Sequence, residues 1–253
     1  MARTRTRLDL LLVARGLAES RTRAEALVLS GRVKVRGVER PKPGTPVGDD
    51  AEVAVEGPEH PWVSRGGVKL AAGLDAFGID PSGRTCLDVG SSTGGFTDVL
   101  LSRGAARVYA IDVGHGQLHA RLRSDPRVVL REGVNARLLS RAEVPEPCAL
   151  LVADVSFISL RLILPAAVPL LSPGADVLLL VKPQFESERG EVGRGGIVRD
   201  EAVRARAVER VVAAAEALGL VHAGTVPSPI TGADGNVELL AAFRLAGPAE
   251  PSG

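Results

Sequence analysis

Several residue types are scarce in this 253-residue chain, and each scarcity excludes a class of protein. Its two cysteines, Cys86 and Cys148, each lie in an apolar, strand-like run, so we expect buried free thiols rather than a disulfide framework or a cysteine metal site. No apolar run approaches the roughly 20 residues that span a bilayer, since the longest, residues 162–171, contains two prolines. Aromatic residues make up 3% of the chain, which argues against extensive stacking on nucleic-acid bases.

The first residues lack the features of a secretory leader. They begin with a basic stretch, but the apolar run that follows is short, breaks at Arg15 and has no small-residue cleavage site. Together with the free thiols, this predicts a cytoplasmic protein in a reducing compartment, with no membrane partner and no bound metal.

Charge is distributed unevenly along the chain. Residues 1–42 hold eleven lysines and arginines against four acidic residues, although the whole chain has a formal net charge of only +1. Such an asymmetry indicates a polyanionic partner for the basic end, and the alternative is a solvated basic face without a partner.

The basic end has the pattern of a small α+β unit. Leu8, Leu11 and Leu12 recur at helical spacing before Gly16, and Ser20 is a candidate cap for a second helix over residues 21–30. Short strands are predicted at residues 33–35 and 51–55, with a proline-rich loop at 41–46 between them. We therefore predict a domain over residues 1–58 and a linker over residues 59–67.

Strand and helix patterns alternate through the rest of the chain. A helical face at residues 70–77 precedes apolar strand candidates at 85–89, 107–112, 128–130, 149–154 and 177–181. Helices are predicted between them at 96–103, 117–123 and 160–171, followed by a helix at 200–218 and strands near 221–226 and 237–244. This alternation predicts an α/β domain over residues 68–247 with a parallel, Rossmann-like sheet covered on both faces, and a tail over 248–253.

The sharpest local signal is the glycine-rich turn CLDVGSSTGGFT, residues 86–97, between a predicted strand and a predicted helix. Glycines let a backbone approach a ligand closely, and Asp112, at the end of the next strand, can accept both hydroxyls of a ribose. The spacing matches neither of the two common phosphate-binding glycine motifs, and Asp88 would repel a phosphate. A cationic nucleoside cofactor, S-adenosylmethionine, is therefore the predicted ligand, and a purely structural turn is the alternative. The predicted cofactor residues are Asp88, Gly90, Ser91, Ser92, Thr93, Gly94, Gly95, Phe96, Asp112, Glu132, Asn135 and Asp154.

Two ionisable residues directly follow apolar strands, where open α/β sheets bind their ligands. Asp154 follows one strand, and Lys182 follows another as a lysine whose desolvation would lower its pKa and supply a neutral amine. Lys69, before the glycine turn, and Glu238, at the last strand, are further candidates. For Asp154 and Lys182 a structural role is an equal alternative, and Lys69 and Glu238 taken alone are more often solvated charges, so the hypothesis depends on the convergence of all four.

Four segments of the large domain resemble the TlyA family of RNA methyltransferases: RTCLDVGSSTGGFT, LVADVSFISL, VKPQF and GNVE, at residues 84–97, 151–160, 181–185 and 235–238. Residues 6–36 resemble the α-L RNA-binding domain of ribosomal proteins and pseudouridine synthases. The resemblance extends from about residue 3 to about residue 245. Val89 stands where other members often have alanine.

The resemblance implies an FtsJ-like fold, with a seven-stranded sheet whose last strand is antiparallel, and S-adenosylmethionine-dependent 2′-O-methylation of cytidine in 16S and 23S ribosomal RNA. It also implies a catalytic Lys-Asp-Lys-Glu tetrad at Lys69, Asp154, Lys182 and Glu238. In the expected mechanism Lys182 takes or orients the 2′-hydroxyl proton while the two carboxylates orient the lysines, without a metal.

The expected RNA contacts are phosphate contacts through arginines, and a flipped base could rest on Phe157 or Phe185, although both are more often packing residues. Residues 184–199 are a candidate substrate loop. The rival hypotheses are an inert RNA-binding protein, a membrane-active haemolysin and an NAD-dependent oxidoreductase. The predicted RNA-binding residues are Arg3, Arg5, Arg7, Arg21, Arg23, Arg32 and Arg65.

Overall fold

The structure is a computed structural model that describes residues 5–18, 20–29, 31–55, 60–188, 190–232 and 235–247. The chain divides into two compact units, residues 1–61 and residues 62–253, and each is described by itself. The predicted domain end at residue 58 and the predicted tail at 248–253 lie outside the described residues.

The N-terminal unit packs two short helices and two two-stranded antiparallel sheets around a leucine- and valine-rich core. Ser20 caps the second helix as expected, because its Oγ accepts from the Arg23 amide at 3.2 Å. Leu8 and Leu12 are completely buried, as the helical spacing predicts. The elements are β1 (Arg5–Arg7), α1 (Leu8–Ala14), α2 (Arg21–Leu29), β2 (Val33–Val35), β3 (Pro46–Gly48) and β4 (Val53–Val55).

The pairing of β1 with β3 was not predicted. Arg5 lies opposite Gly48 and Arg7 opposite Pro46, so one end of the proline-rich segment is a strand rather than a loop. The pairing is non-local, and a proline is tolerated because it needs no ladder hydrogen bond at a sheet edge. Residues 5–7 are therefore an ordered strand in the structure.

The C-terminal unit is built on a seven-stranded sheet within the described residues, in the order β10-β11-β9-β8-β5-β6-β7. Strand β11 is antiparallel to both of its neighbours, whereas β5, β6, β7, β8 and β9 run parallel. This arrangement confirms the predicted fold class. The strands are β5 (Thr85–Val89), β6 (Arg107–Ile111), β7 (Val128–Arg131), β8 (Cys148–Ala153), β9 (Leu171–Val181), β10 (Leu220–Pro227) and β11 (Leu239–Leu245).

Helices cover both faces of this sheet, because alternate residues of each central strand enter two separate cores. On β5, Leu87 belongs to one core and Cys86 to the other. The helices are α3 (Gly66–Phe77), α4 (Gly95–Ser102), α5 (Ala120–Arg123), α6 (Leu164–Ala167), α7 (Pro183–Glu186) and α8 (Glu201–Glu216).

Three predicted elements differ from the structure. The helix predicted over residues 160–171 is broken into the 3₁₀ turn Leu160–Leu162, α6 and the 3₁₀ turn Val168–Leu170, because prolines interrupt it. Strand β9 is eleven residues long and begins where that helix was expected to end. Helix α3 begins at Gly66, inside the stretch predicted as a linker. Among the helices that the structure describes, none is long and apolar enough to cross a membrane.

Candidate active site

A cavity of about 700 Å³ opens at the carboxyl ends of β5, β8 and β9, where an open α/β sheet is expected to bind its ligand. The start of α3 and the glycine turn form one wall, and α7 and the residues before β11 form the other. All four ionisable candidates line it: Lys69, Asp154, Lys182 and Glu238.

These four side chains form two lysine–carboxylate pairs. Lys69 Nζ donates to Glu238 Oε2, and both residues are buried, with Glu238 only 3% exposed. Lys182 Nζ lies 2.6 Å from Asp154 Oδ1 and donates a hydrogen bond to Ser156 Oγ at 2.9 Å. The Lys182–Asp154 contact is close enough for an ion pair but lacks hydrogen-bond geometry, so Asp154 Oδ1 is left without a hydrogen-bond partner.

Sheet register explains why these residues meet. Leu239 lies opposite Val181 in the antiparallel β11–β9 pair, so Glu238 and Lys182 occupy facing positions just beyond it. Asp154 follows the last residue of β8, the parallel neighbour of β9. Lys69 enters from the first turns of α3. The predicted convergence is therefore found in the structure.

The glycine turn is shaped for close backbone approach. Gly90 has a φ of +85°, and a Cβ there would overlap the carbonyl oxygen of Asp154, so only glycine fits between β5 and β8. A Cβ on Gly95 would overlap Ser64 Oγ, so the beginnings of α3 and α4 pack directly together. Ser91 Oγ is buried at this turn without a hydrogen-bond partner, and Ser91 lines the cavity.

A second cavity of about 610 Å³ adjoins the first and shares Gly90, Ser92, Asp154, Ser156 and Phe157 with it. Its walls are mostly apolar side chains from the ends of β5 and β6 and from the loops that follow β7 and β8. A cavity that combines apolar walls with several polar groups is typical of a site for an organic ligand.

Asp112 and Asn135, both predicted to bind the cofactor, line this second cavity. The carboxylate of Asp112 accepts from the Ser92 and Gly114 amides, each at 2.7 Å, which fixes it at the floor between the glycine turn and the end of β6. Asn135 accepts from the Arg137 amide at 3.1 Å and caps a 3₁₀ turn. Gln117, which sequence reasoning missed, also lines this cavity and accepts from Ser92 Oγ at 3.1 Å.

Asp88 and Glu132, also predicted to bind the cofactor, are not among the residues that line the two cavities. Asp88 is completely buried beneath the turn and accepts from Thr97 Oγ1 at 2.6 Å. Burial raises the pKa of Asp88 to about 7, against the opposing effect of the Thr97 hydrogen bond. Glu132 is occupied by Arg123 and the Gly116 amide, each at 2.7 Å, and the Arg123 hydrogen bond lowers the pKa of Glu132.

The two candidate aromatic residues lie at the mouth of the first cavity. Phe157 is 93% exposed and has a φ of +64°, an unusual conformation for a non-glycine residue. Its ring centroid is 5.3 Å from that of Phe185. Phe157 is therefore not a packing residue of the core, which was the alternative considered from sequence.

Sequence reasoning missed two buried carboxylates that position the walls. Glu186 on α7 is 1% exposed and accepts from Ser159 Oγ at 2.5 Å and from the Leu160 amide at 2.7 Å. Asp98 on α4 accepts from the Val63 amide at 2.9 Å and from Arg121, which fixes the residues that precede α3. For Asp98 the available signal was an acidic residue within an apolar helical pattern, whereas Glu186 stands in a charged segment without periodicity.

The predicted RNA-binding arginines fall into different environments. Arg3 lies outside the described residues, whereas Arg5, Arg23 and Arg65 are exposed, with Arg65 on the rim of the first cavity. Arg7 donates to the buried carboxylate of Asp9 at 3.0 and 2.6 Å, so its guanidinium has an intramolecular partner.

Arg21, like Arg7, has carboxylate partners within the chain. Arg21 contacts Asp9 at 3.2 Å and Glu25 at 3.1 Å. Arg32 is half-buried. The geometry therefore gives Arg7 and Arg21 a structural role, which the sequence pattern did not reveal.

Two family models match the chain. A model described as FtsJ-like methyltransferase matches residues 62–245, and a model described as the S4 domain matches residues 6–53. The chain is 52% identical to the 16S/23S rRNA (cytidine-2′-O)-methyltransferase TlyA of Mycobacterium tuberculosis over 94% of this chain and 89% of that relative. It is 41% identical to Hemolysin A of Brachyspira hyodysenteriae over 94% of this chain and all of that relative.

A solved structure of a protein described as a hemolysin from Streptococcus thermophilus has a TM-score of 0.75 and 40% identity, covering 97% of this chain and 90% of the other. The fold, the lysine–carboxylate cluster and these matches together define an FtsJ-like methyltransferase domain preceded by an S4 domain. Within that class, the chain belongs to the TlyA family.

Proposed function

We propose that this chain transfers a methyl group from S-adenosylmethionine to the 2′-hydroxyl of a cytidine in 16S or 23S ribosomal RNA, or in both. The observation that carries the proposal is the pair of lysine–carboxylate contacts that line a cavity joined to a second, nucleoside-sized cavity at the glycine turn. Such a reaction meets its ribosomal substrate in the cytoplasm.

The residues around the glycine turn fit S-adenosylmethionine. The apolar second cavity suits an adenine ring, and the fixed carboxylate of Asp112 suits the ribose hydroxyls. Among the described residues Ser91 Oγ is a buried polar atom without a hydrogen-bond partner, and a polar group of the methionine moiety would satisfy it. Bound there, the cofactor would supply a methyl group on a sulfonium.

The predicted turn residues that line the first cavity would contact the cofactor through their backbones and short side chains. These residues are Gly90, Ser91, Ser92, Thr93, Gly95 and Phe96. Gly94 would act indirectly. It is the N-cap residue of helix α4, where its φ of +98° favours glycine. Asp88 would act from beneath the turn, because a buried carboxyl is ionised more readily near a bound cation.

The chemistry of the transfer would rest on the two lysines. Lys182 Nζ, held by Asp154 and Ser156, is in position to orient a 2′-hydroxyl as an ammonium, or to accept its proton once it is a neutral amine. Lys69 and Glu238 would line the opposite side of the pocket that holds the 2′-hydroxyl. The pairing of β9 with β11 places Glu238 opposite Lys182. Much of the acceleration would come from holding the two substrates in line.

RNA affinity would come from the exposed arginines, chiefly Arg5 and Arg23 of the S4 domain and Arg65 at the cavity rim. The exposed ring of Phe157, braced against Phe185, would receive the base of the target nucleotide. Residues 184–199 would contact the same strand, since Gln184, Val192 and Gly196 line the first cavity.

Transfer of a radiolabelled methyl group to purified ribosomal RNA, with 2′-O-methyl mapping of the product, tests the proposal. The intact chain is expected to label RNA at cytidines, and Lys182→Ala is expected to lose activity by at least about 100-fold while still binding both substrates. Lys182→Arg is the matched control: it keeps the positive charge, but a guanidinium does not lose a proton to become a base, and we expect it to be nearly as inactive.

The same measurements separate the rival functions. An inert RNA-binding protein would bind ribosomal RNA without labelling it, and a membrane-active haemolysin would release dye from pure lipid vesicles. An oxidoreductase would be stabilised against heat by NAD rather than by S-adenosylmethionine. Unlabelled RNA with the intact chain, under conditions in which S-adenosylmethionine binds, would refute the proposed reaction.

A further inference from the structure

Asn236 is a buried polar residue of the GNVE segment that the proposed chemistry does not use. It is 2% exposed and lies two residues before Glu238. A buried side-chain amide costs free energy unless both of its polar ends are hydrogen-bonded, so its partners indicate what it holds.

Both ends of this amide bind one short backbone segment. Asn236 Oδ1 accepts from the Val198 amide at 2.9 Å, and Asn236 Nδ2 donates to the Gly196 carbonyl at 2.9 Å. The amide oxygen meets a backbone donor and the amide nitrogen meets a backbone acceptor, so only this orientation of the amide forms both bonds. A neighbouring strand would pair with the segment in the same way. Asn236 therefore holds residues 196–198 by two hydrogen bonds, an arrangement called the clamp below.

The clamp lies at the Glu238 end of the first cavity. Gly196, Gly232 and Glu238 all line that cavity, and the Gly232 amide donates to the Asn236 carbonyl at 2.9 Å. A Cβ on Gly232 would come within 2.8 Å of Glu238 Oε1, so this turn packs against the carboxylate that pairs with Lys69. One side chain thus joins the candidate substrate loop, the turn and the Glu238 wall.

We infer that Asn236 is a positioning residue for methyl transfer, which holds residues 196–198 against the Glu238 wall so that the RNA-side half of the cavity keeps its shape. The inference rests on the proposed function. It assigns the amide no contact with the reacting atoms. Because residues 196–198 do not line the second, nucleoside-sized cavity, loss of the clamp should affect turnover more than cofactor binding.

The first variant is Asn236→Ala, measured in the full-length chain with ribosomal RNA as substrate. We expect kcat to fall at least about fivefold, while the dissociation constant for S-adenosylmethionine stays within about twofold of the unmodified chain. Tyr109→Phe is the control for lost side-chain hydrogen bonding, because it removes a hydroxyl that bonds Glu146 and Arg107 near the opposite ends of the strands. A smaller fall in kcat, or an equal loss of cofactor affinity, overturns the inference.

The second variant, Asn236→Asp, gives a signature that a loss of stability would not produce. The aspartate can donate to the Gly196 carbonyl only when it is protonated. The activity of the Asn236→Asp variant, divided by that of the unmodified chain, should therefore rise at least about threefold as pH is lowered from about 8.5 to about 6.5. The charged groups around the clamp are Arg204, which donates to the Val198 and Arg199 carbonyls, and the Lys69–Glu238 pair.

A flat activity ratio overturns the inference even if the alanine variant does not fold. Failure of the proposed function is recognised separately, because the unmodified chain would then bind S-adenosylmethionine without labelling RNA at all.

Discussion

Asp88 illustrates how a single buried carboxyl can depend on its surroundings. It lies beneath the glycine turn, with one oxygen bonded to Thr97 and the other without a hydrogen-bond partner. Burial raises the pKa of Asp88 to about 7, so near neutrality the folded protein holds a carboxyl that is only partly ionised. A cation bound above the turn would favour the ionised form.

The sign of the resulting pH dependence follows from linkage. The folded pKa of Asp88 lies above its unfolded value, so the stabilisation from its protonated form is present below about pH 4 and is lost as pH rises through about 7. Asp88→Asn removes this loss. The variant's unfolding free energy, minus that of the unmodified chain, should rise by roughly 1 kcal/mol per pH unit between about pH 4.5 and about pH 7.

Denaturant unfolding at several pH values measures that difference directly, and any constant cost of the substitution cancels from the slope. A difference that does not change with pH would contradict the raised pKa of Asp88.

At the scale of elements, Glu186 ties helix α7 to the loop that follows β8. Its carboxylate receives the Leu160 amide at the start of a 3₁₀ turn and the Ser159 hydroxyl, while Lys182 forms the N-cap of α7. The tie holds the loop that carries Phe157 to helix α7, which carries Phe185. Burial raises the pKa of Glu186, consistent with a carboxyl that is enclosed rather than solvated.

Two substitutions at Glu186 should differ in cost. Glu186→Ala leaves the Leu160 amide without a partner and should lower the free energy of unfolding by about 1–3 kcal/mol. Glu186→Gln retains an acceptor for that amide and a group that can bond Ser159, so it should cost less than about 1 kcal/mol. Denaturant unfolding of both variants checks this, and equal costs would show that the carboxylate does not form the tie.

The elements also show what the sequence pattern could predict. Periodicity located the central strands and most helices, because residues buried on both sheet faces leave a continuous apolar run. It missed the β1–β3 pairing, which depends on residues about forty positions apart. It also extended a helix through two prolines, because the apolar residues at 160–171 satisfy the same spacing in short turns.

For the site, the pattern identified Lys69, Asp154, Lys182 and Glu238 but not which lysine contacts which carboxylate, since that is decided by sheet register. The position of Asp88 near the end of a strand also did not predict its burial beneath the turn. Successive side chains on a strand face opposite ways, and the sequence does not say which face the ligand occupies. The clamp at Asn236 had no signal beyond its place in a short motif.

At the scale of the whole molecule, an S4 domain with more basic than acidic residues is joined in one chain to a methyltransferase domain, residues 62–245, whose acidic and basic residues balance. Counting cations overstates the phosphate contacts that such a domain offers, because some arginines are engaged internally. Arg7 is 47% exposed but is bound to Asp9, whose side chain is fully buried, and this hydrogen bond lowers the pKa of Asp9 to about 2. Arg5, two residues earlier on the same strand, is exposed.

The two arginines should therefore respond differently to substitution in the full-length chain. Arg5→Ala removes a phosphate contact, so the slope of log affinity for ribosomal RNA against log salt should fall by about 1 with no change in unfolding. Arg7→Ala leaves the buried carboxylate of Asp9 with fewer donors, so it should lower the free energy of unfolding and leave the salt slope unchanged. Filter binding across a salt series, with denaturant unfolding in parallel, distinguishes them. Equal salt slopes for both variants would mean that RNA draws Arg7 away from Asp9, and the internal ion pair would then be a feature of the free protein alone.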